Sequence, residues 1–428
     1  MAKLVKKNIF SRLFGFQETS SDTTLNICIN LSLFLEVLII SNAVLKYFGF
    51  SQAYIIAFIS GYAYLITKVD FKKWTGLHFL KLTYFLSVLL TCLLHLSFYH
   101  QASPWVSVLG FCSYVLAPFF WFLTSLCIND SELFLKELFW KLRYFILTAS
   151  VIGIIQYFYS PTLFGVFSGD LSQKFLWASE LSYHEYTSFF RTTSLWASPQ
   201  ICGLYLGLFI IGYYTFMGHR FSTLSMMFPY FVCGLYTFNK SFMLNMLLLF
   251  SFKFKIHFLF KLILFVVFFS VLSYSVISDS SHAAQRIFSL ERIMSEESSD
   301  SGRLAIYKQK FSECTFLGNG IGSIQNISRS DSDTPVAVAE SFLLQMLYEL
   351  GGIPFLLFLL ILYKQFTSCP PHMRLLMFAT ILSMFYIHAF SSIYMSLFYS
   401  LFFLDFRKQN TFSSLSAAEK SISPVVPA

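Results

Sequence analysis

Arg191 stands in the run FRTTSLWASPQICGLYLGL, just before an apolar stretch begins. A guanidinium at such a boundary offers a planar donor fork that suits phosphate or pyrophosphate. The plainer reading is an interfacial anchor whose charged end snorkels to water. Pro199 can open the helix that follows, and Gln200 adds a polar group to its first turn. Lys240 lies between two apolar stretches in TFNKS, where a cation is costly unless it meets an anion or water. It serves equally well as the mark of a short turn.

A second group of polar residues lies between Gly302 and Gly352. Arg303 opens it, and Gly318, Gly320 and Gly322 make a turn able to present backbone N–H groups to an anion. A nucleotide loop is excluded, because no strand precedes the glycines and no Lys-Ser/Thr follows them. Glu340 and Ser341 stand where the next apolar run starts. That carboxylate can act as a general base toward a hydroxyl, or it is a first-turn residue favoured by the helix dipole. Glu349 lies deeper, beside Gly351, Gly352 and Pro354, which should break or kink the helix, and reads as a carboxylate paired with another helix; Glu36 is similar. His184, in SYHEYTSFF, is an acid/base candidate or an ordinary exposed loop histidine. His388 reads as a hydrogen-bonded interhelical group.

The elements that must position these groups are dictated by composition. Hydrophobic residues make up 56% of the chain and charged residues 12%, with a mean hydropathy of +0.63. Soluble chains carry about twice that charge fraction. Apolar runs near twenty residues long read as transmembrane helices. The expected fold is therefore an all-α integral membrane protein of about twelve transmembrane helices, with two outward-facing polar loops. The spans fall near 25–44, 50–67, 78–98, 104–127, 143–160, 198–217, 221–238, 240–252, 256–278, 339–363, 374–391 and 392–405. Residues 1–24 form an N-terminal segment, 25–405 the membrane domain, and 406–428 a C-terminal tail. The basic start is followed by a polar gap with no small-residue cleavage site, so no cleavable signal peptide is expected.

Lys and Arg on short loops set the orientation. Eighteen fall on segments expected inside and four on short segments expected outside, which places both termini in the cytoplasm. The same bias accounts for the net charge of +8 without a nucleic-acid partner. Of the two outer loops, about 161–196 and 279–338, the second carries six basic and eight acidic residues. Its segments Ser295–Gly302 and Ser328–Pro335 read as mobile, while Leu304, Tyr307 and Phe311 have the spacing of a short surface helix. Eight cysteines are scattered with no CxxC and no Cys/His metal spacing, so they read as small buried hydrophobes. No metal site and no cofactor is expected.

Together these residues resemble the O-antigen polymerase and O-antigen ligase superfamily of bacterial membrane glycosyltransferases. Three places carry the likeness: Arg191 to Gly203, the basic residue in TFNKS, and the large loop with Arg303, Gly318–Gly322 and Ala339-Glu340-Ser341. The likeness covers about 190–360, and the first five spans match in hydropathy alone. It implies a metal-independent transferase of the inner membrane whose donor is an undecaprenyl-diphosphate-linked oligosaccharide. Arg191, Lys240 and Arg303 would then hold the diphosphate. Glu340, Arg303 and His184 are the catalytic candidates, with Gly318, Gly320, Gly322 and Ser341 positioning the loop. A flippase and a chain-length regulator are the implied partners, besides membrane lipid.

The chain departs from the family in three ways. Lys240 stands where the family has an Arg, and Glu340-Ser341 where ligases have a His-containing pair. The Arg-to-Gly spacings at Arg191–Gly203 and Arg303–Gly318 are longer than those of many polymerases. The second departure favours a polymerase of O-antigen, capsule or exopolysaccharide repeat units. The alternatives are a ligase that transfers finished glycan to a lipid or protein, and a polysaccharide flippase. The flippase would show two similar halves, and no such repeat is seen.

Overall fold

The computed structural model describes residues 23–47, 53–70, 74–98, 104–159, 192–196, 198–218, 221–237, 239–253, 307–323, 341–386, 390 and 392–406. Arg191, His184, Arg303, Glu340 and His388 lie outside the described residues, as do the expected span 256–278 and both terminal segments.

The described residues are mostly helical, with no strand among them, as an all-α membrane protein requires. Among the described residues, besides a short helix at 307–312, thirteen α-helices follow in order: α1 (Thr23–Ile40), α2 (Asn42–Tyr47), α3 (Ala53–Ile66), α4 (Gly76–Phe98), α5 (Pro104–Cys127), α6 (Ser131–Phe158), α7 (Pro199–Met217), α8 (Phe221–Tyr236), α9 (Lys240–Lys253), α10 (Phe342–Leu350), α11 (Gly352–Ser368), α12 (Arg374–Tyr386) and α13 (Ser396–Phe403). Among the described residues, α1, α4, α5, α6 and α7 are long and apolar enough to cross a membrane. Their starts follow local chemistry. Asp130 accepts from the N–H groups of Glu132 and Leu133 to begin α6, and Ser198 with Pro199 begins α7.

One apolar core runs through the bundle, and it is strongly aromatic. Phe139, Phe209, Tyr205 and Tyr213 form a stacked series, with Phe139 and Phe209 centroids 5.2 Å apart. The abundant Phe thus fills helix interfaces as well as facing outward.

The helix breaks beside Gly351, Gly352 and Pro354 as expected, so the described part of the apolar run 339–363 is two helices and not one span. The break falls at Gly351, where φ is +80°. The rings of Phe342 and Phe358 lie 6.0 Å apart, whereas sixteen residues of straight helix would separate them by about 24 Å. The chain therefore turns a sharp corner between α10 and α11. The physical cause is the φ above zero, which glycine alone adopts freely.

The last expected span is also shorter than its apolar run. The run 374–391 yields α12, and 392–405 yields a 3₁₀ turn at Ile393–Met395 followed by α13. An eight-residue helix is about 12 Å long, well short of a bilayer's ~30 Å hydrocarbon core. Helix α13 is instead held inside the protein at both ends. The Trp121 indole N–H donates to Ser396 O at 2.7 Å. Lys81, fully buried, donates from Nζ to Phe403 O and Leu404 O at 2.9 and 3.0 Å. Gln365 Nε2 donates to Phe402 O at 2.8 Å and also to Leu404 O. Carbonyls left open at a buried helix end need such donors, and a cation there also meets the negative end of the dipole.

The corner makes a direct prediction. A Cβ at Gly351 would overlap the Phe316 carbonyl, and a non-glycine residue at positive φ costs about 1–2 kcal/mol before any clash. At Gly352 the nearest atom is the Phe316 ring edge, 3.1 Å away, on an exposed side chain. Gly351→Ala lowers the thermal unfolding midpoint in detergent by several degrees, and Gly352→Ala changes it little.

Candidate functional site

Two of the sequence motifs meet in the fold. Immediately after Arg191, residues Thr192, Thr193 and Ser194 are buried. Thr192 N–H donates to Tyr236 O at 3.1 Å, tying this segment to the C-terminal end of α8. Thr192 Oγ1 donates to Gly153 O at 2.8 Å and to Gln156 Oε1 at 3.3 Å. Gln156 Oε1 also accepts from Ser194 N–H at 2.9 Å, and Gln156 Nε2 donates to Ser194 O at 3.4 Å. Ser194 Oγ donates to Ala149 O. One amide side chain on α6 thus satisfies both backbone groups of Ser194.

Ser194 needs that support. Its φ of 51° places it, alone among the described non-glycine residues, in the left-handed region. Such conformations persist only where surrounding contacts over-determine them, and they gather at functional sites. Gly153 makes room for the segment, since a Cβ there would lie 3.0 Å from Ser194 Cβ and 3.1 Å from Thr192 Oγ1.

The turn carrying Lys240 packs on the same junction. Asn239 Nδ2 donates to Gln200 O at 2.6 Å, and Asn239 Oδ1 accepts from Ser241 N–H at 2.9 Å. Asn239 thereby caps α9 while gripping the first turn of α7. Gly203 accommodates the contact, because a Cβ there would lie 2.7 Å from Asn239 Cβ. The N-termini of α7 and α9 are therefore adjacent, and Lys240, exposed, is the first residue of α9. Two positive dipole ends and a cation lie together. No family model and no curated protein matches the chain. The site is argued from its chemistry alone.

The Gly-rich loop is fixed on other elements. All three glycines have positive φ, at 82°, 117° and 85° for Gly318, Gly320 and Gly322. Gly318 N–H donates to Thr315 O at 3.2 Å and Asn319 N–H to Tyr348 O at 2.8 Å, so these two groups are spent inside the protein. Gly352 N–H donates to Phe316 O at 2.9 Å. A Cβ at Gly318 would lie 2.8 Å from Gly351 N, and one at Gly322 would lie 2.7 Å from Val106 O. The loop is packed backbone to backbone on the α10–α11 corner and on the start of α5. Ser341 Oγ accepts from Leu344 N–H at 3.3 Å and caps α10, next to Glu340 in sequence.

The expected surface helix is present at residues 307–312. Its end is latched by Glu313, whose carboxylate accepts from Lys310 Nζ at 2.9 Å, Gln309 Nε2 at 2.8 Å and Tyr348 Oη at 3.4 Å. Hydrogen bonds from Lys310 and Gln309 hold the Glu313 carboxyl below its ordinary range. Burial alone would lower the Lys310 ammonium, and its hydrogen bond to Glu313 together with the charge interactions of Tyr348 and Glu313 outweighs that and raises it.

Glu349 is fully buried and accepts from Tyr114 Oη at 2.8 Å, which pairs α10 with α5 as the sequence reading expects of it. Glu36 is fully buried, with Tyr205 Oη donating to it at 3.5 Å. Lys81 and Gln156 are the residues that sequence reasoning passed over. Lys81 carried a signal, being a cation within an apolar run; Gln156 carried none. Among the described residues, no group of three metal-ligating side chains occurs.

Two outcomes follow. Gln156→Leu leaves the buried Ser194 N–H without its acceptor and costs about 1–3 kcal/mol; amide exchange at 192–196 accelerates, while exchange in α11 does not change. Because the Glu313 carboxyl is held low, its contribution to loop docking is present above the ordinary Glu range and fades as pH falls through the lowered value. Protease nicking within 307–323 rises on acidification in the native chain, and Glu313→Gln flattens that dependence.

Proposed function

We propose that the chain is a polytopic inner-membrane polysaccharide polymerase, joining lipid-diphosphate-linked oligosaccharide repeat units at the outer leaflet. In this reading both termini lie in the cytoplasm, and the end of the bundle bearing the 192–200 and 236–241 junction faces outward. A flippase supplies the donor, and a chain-length regulator acts on the product.

The observation that supports the reading is the convergence of the N-termini of α7 and α9 at Lys240, with Arg191 one residue before the pinned Thr192. Helix N-termini favour anions, and a diphosphate carries several negative charges in reach of such a site. Sugar transfer from a lipid diphosphate already has a good leaving group, so the protein's task is to stabilise departing charge and take one proton. The C–O bond from the sugar to the diphosphate breaks, and its electron pair leaves on the phosphate oxygen. The acceptor hydroxyl forms the new bond at that carbon and passes its proton to a base. Arg191, Lys240 and Arg303 are assigned the diphosphate, and Glu340 the proton, with His184 as the other acid/base candidate and Arg303 assisting.

The test uses purified protein with a lipid-diphosphate-linked repeat unit, with product lengths read on a gel. A ladder that is lost in Arg191→Ala and reduced at least about tenfold in Lys240→Ala, equivalent to about 1.4 kcal/mol of transition-state binding, supports the polymerase. Glu340→Gln abolishes bond formation while donor binding persists. Transfer only onto a separate final acceptor shifts the reading to the ligase. Movement of the lipid across a vesicle without any bond formation overturns the enzyme.

A further inference from the structure

Two adjacent large apolar side chains of the Gly-rich loop, Phe316 and Leu317, are 66% and 52% exposed. They lie outside every apolar helix, in a loop that anchors Ile321 in the core, and Phe311 on the preceding surface helix is equally exposed. Exposed neighbours of this size are costly in water and mark a surface that something covers. Their position says what does. Phe316 O accepts from Gly352 N–H at 2.9 Å, which places Phe316 at the first turn of α11. The backbone of Leu317 and Gly318 lies beside the His95 imidazole, three residues from the end of α4.

Both of those helices carry exposed apolar residues where the loop meets them. On α4 these are Leu90, Leu93 and Leu94, and on α11 they are Ile353 and Leu356. Helix α4 is long and apolar enough to cross a membrane, so its exposed leucines face acyl chains. Phe316 and Leu317 continue that band upward from two helices at once. Around the tip, Thr315 O, Phe316 O, Gly318 N–H and Asn319 N–H are already paired, which lowers the number of peptide groups that must stay in water when its side chains enter an apolar phase.

We propose that the Thr315–Gly318 tip is a membrane hook whose Phe316 and Leu317 side chains insert among the lipid acyl chains of the leaflet at this end of the bundle. The glycines give the backbone its reversal, and the corner at Gly351 holds the tip at membrane level. The polar latch of Lys310, Glu313 and Asn319 stays on the aqueous side, with Asn319 Nδ2 donating to Glu313 O at 2.8 Å. This inference needs a bilayer and is independent of glycosyl transfer.

The full-length chain carrying Cys314→Ser is reconstituted in nanodiscs with an environment-sensitive fluorophore at Leu317→Cys, at Phe316→Cys, or at Ser312→Cys as the exposed control. The unsubstituted Cys314→Ser chain gives the background labelling. At 317 and 316 the emission is blue-shifted, is quenched by lipids with a spin label on the acyl chain, and is reduced by aqueous dithionite several-fold more slowly than at 312. Reduction as fast as at 312 overturns the hook. Protection from dithionite without quenching by the spin-labelled lipid also overturns it, since the tip would then be covered by protein. Labelling at two adjacent positions guards against one substitution that disturbs the loop, and each variant must elute as a single species before reconstitution.

Discussion

Gly318 and Gly351 approach each other so closely that neither position has space for a Cβ, and much else in this part of the bundle hangs on that contact. Gly351 at φ +80° turns α10 into α11, and Gly318 at φ +82° lets the Gly-rich loop lie against the corner. With the two backbones touching, Asn319 N–H reaches Tyr348 O and Gly352 N–H reaches Phe316 O. Gly322 then meets Val106 on α5, and Tyr114 of α5 reaches Glu349 of α10. A loop and a helix corner are thereby locked by backbone hydrogen bonds, and the neighbouring helix joins them through close backbone packing and a buried side-chain hydrogen bond.

The junction around Ser194 is built on a different principle. There a polar segment enters the bundle, and Thr192 N–H and both backbone groups of Ser194 are met by a side chain or a carbonyl of a neighbouring helix. Gln156 does for Ser194 what a turn of helix would otherwise do, so the chain can hold an uncommon backbone angle at the entrance to α7. The result is that helix starts separated by some forty residues of sequence face one another, and Lys240 stands where their dipoles add. A rigid, positively biased surface next to Arg191 is the physical basis for assigning this end of the protein to an anionic substrate.

Buried charge follows the same logic of local satisfaction. Lys81 is placed against the carbonyls that end α13, Glu349 against a tyrosine hydroxyl, and Asp405 within 3.9 Å of His78. In each case the ionisable group completes a break in helical structure or joins two helices. Such groups account for much of the polarity that the apolar runs contain, without any role in chemistry.

How far the sequence reaches can be judged from particular residues. Hydropathy gave the all-α membrane class, because each apolar run is a local property that a bilayer reads directly. Ser198-Pro199 and Asp130 marked helix starts, and Tyr307 with Phe311 marked the helix at 307–312, since caps and periodicity act within a turn or two of chain. Hydropathy failed at 339–363 and 392–405, where apolar residues continue across a break and a window of composition sees no corner. The partners of Lys81 lie 322 and 323 residues away, and those of Gln156 38 residues away, distances at which pairing is set by packing. The sequence by itself thus determined which segments are helical, apolar and basic. Only the tertiary structure decided that the segment after Arg191 meets the Lys240 turn, and that the Gly loop packs on the Gly351 corner with its first amides spent, because backbone hydrogen bonds between remote segments leave no local trace.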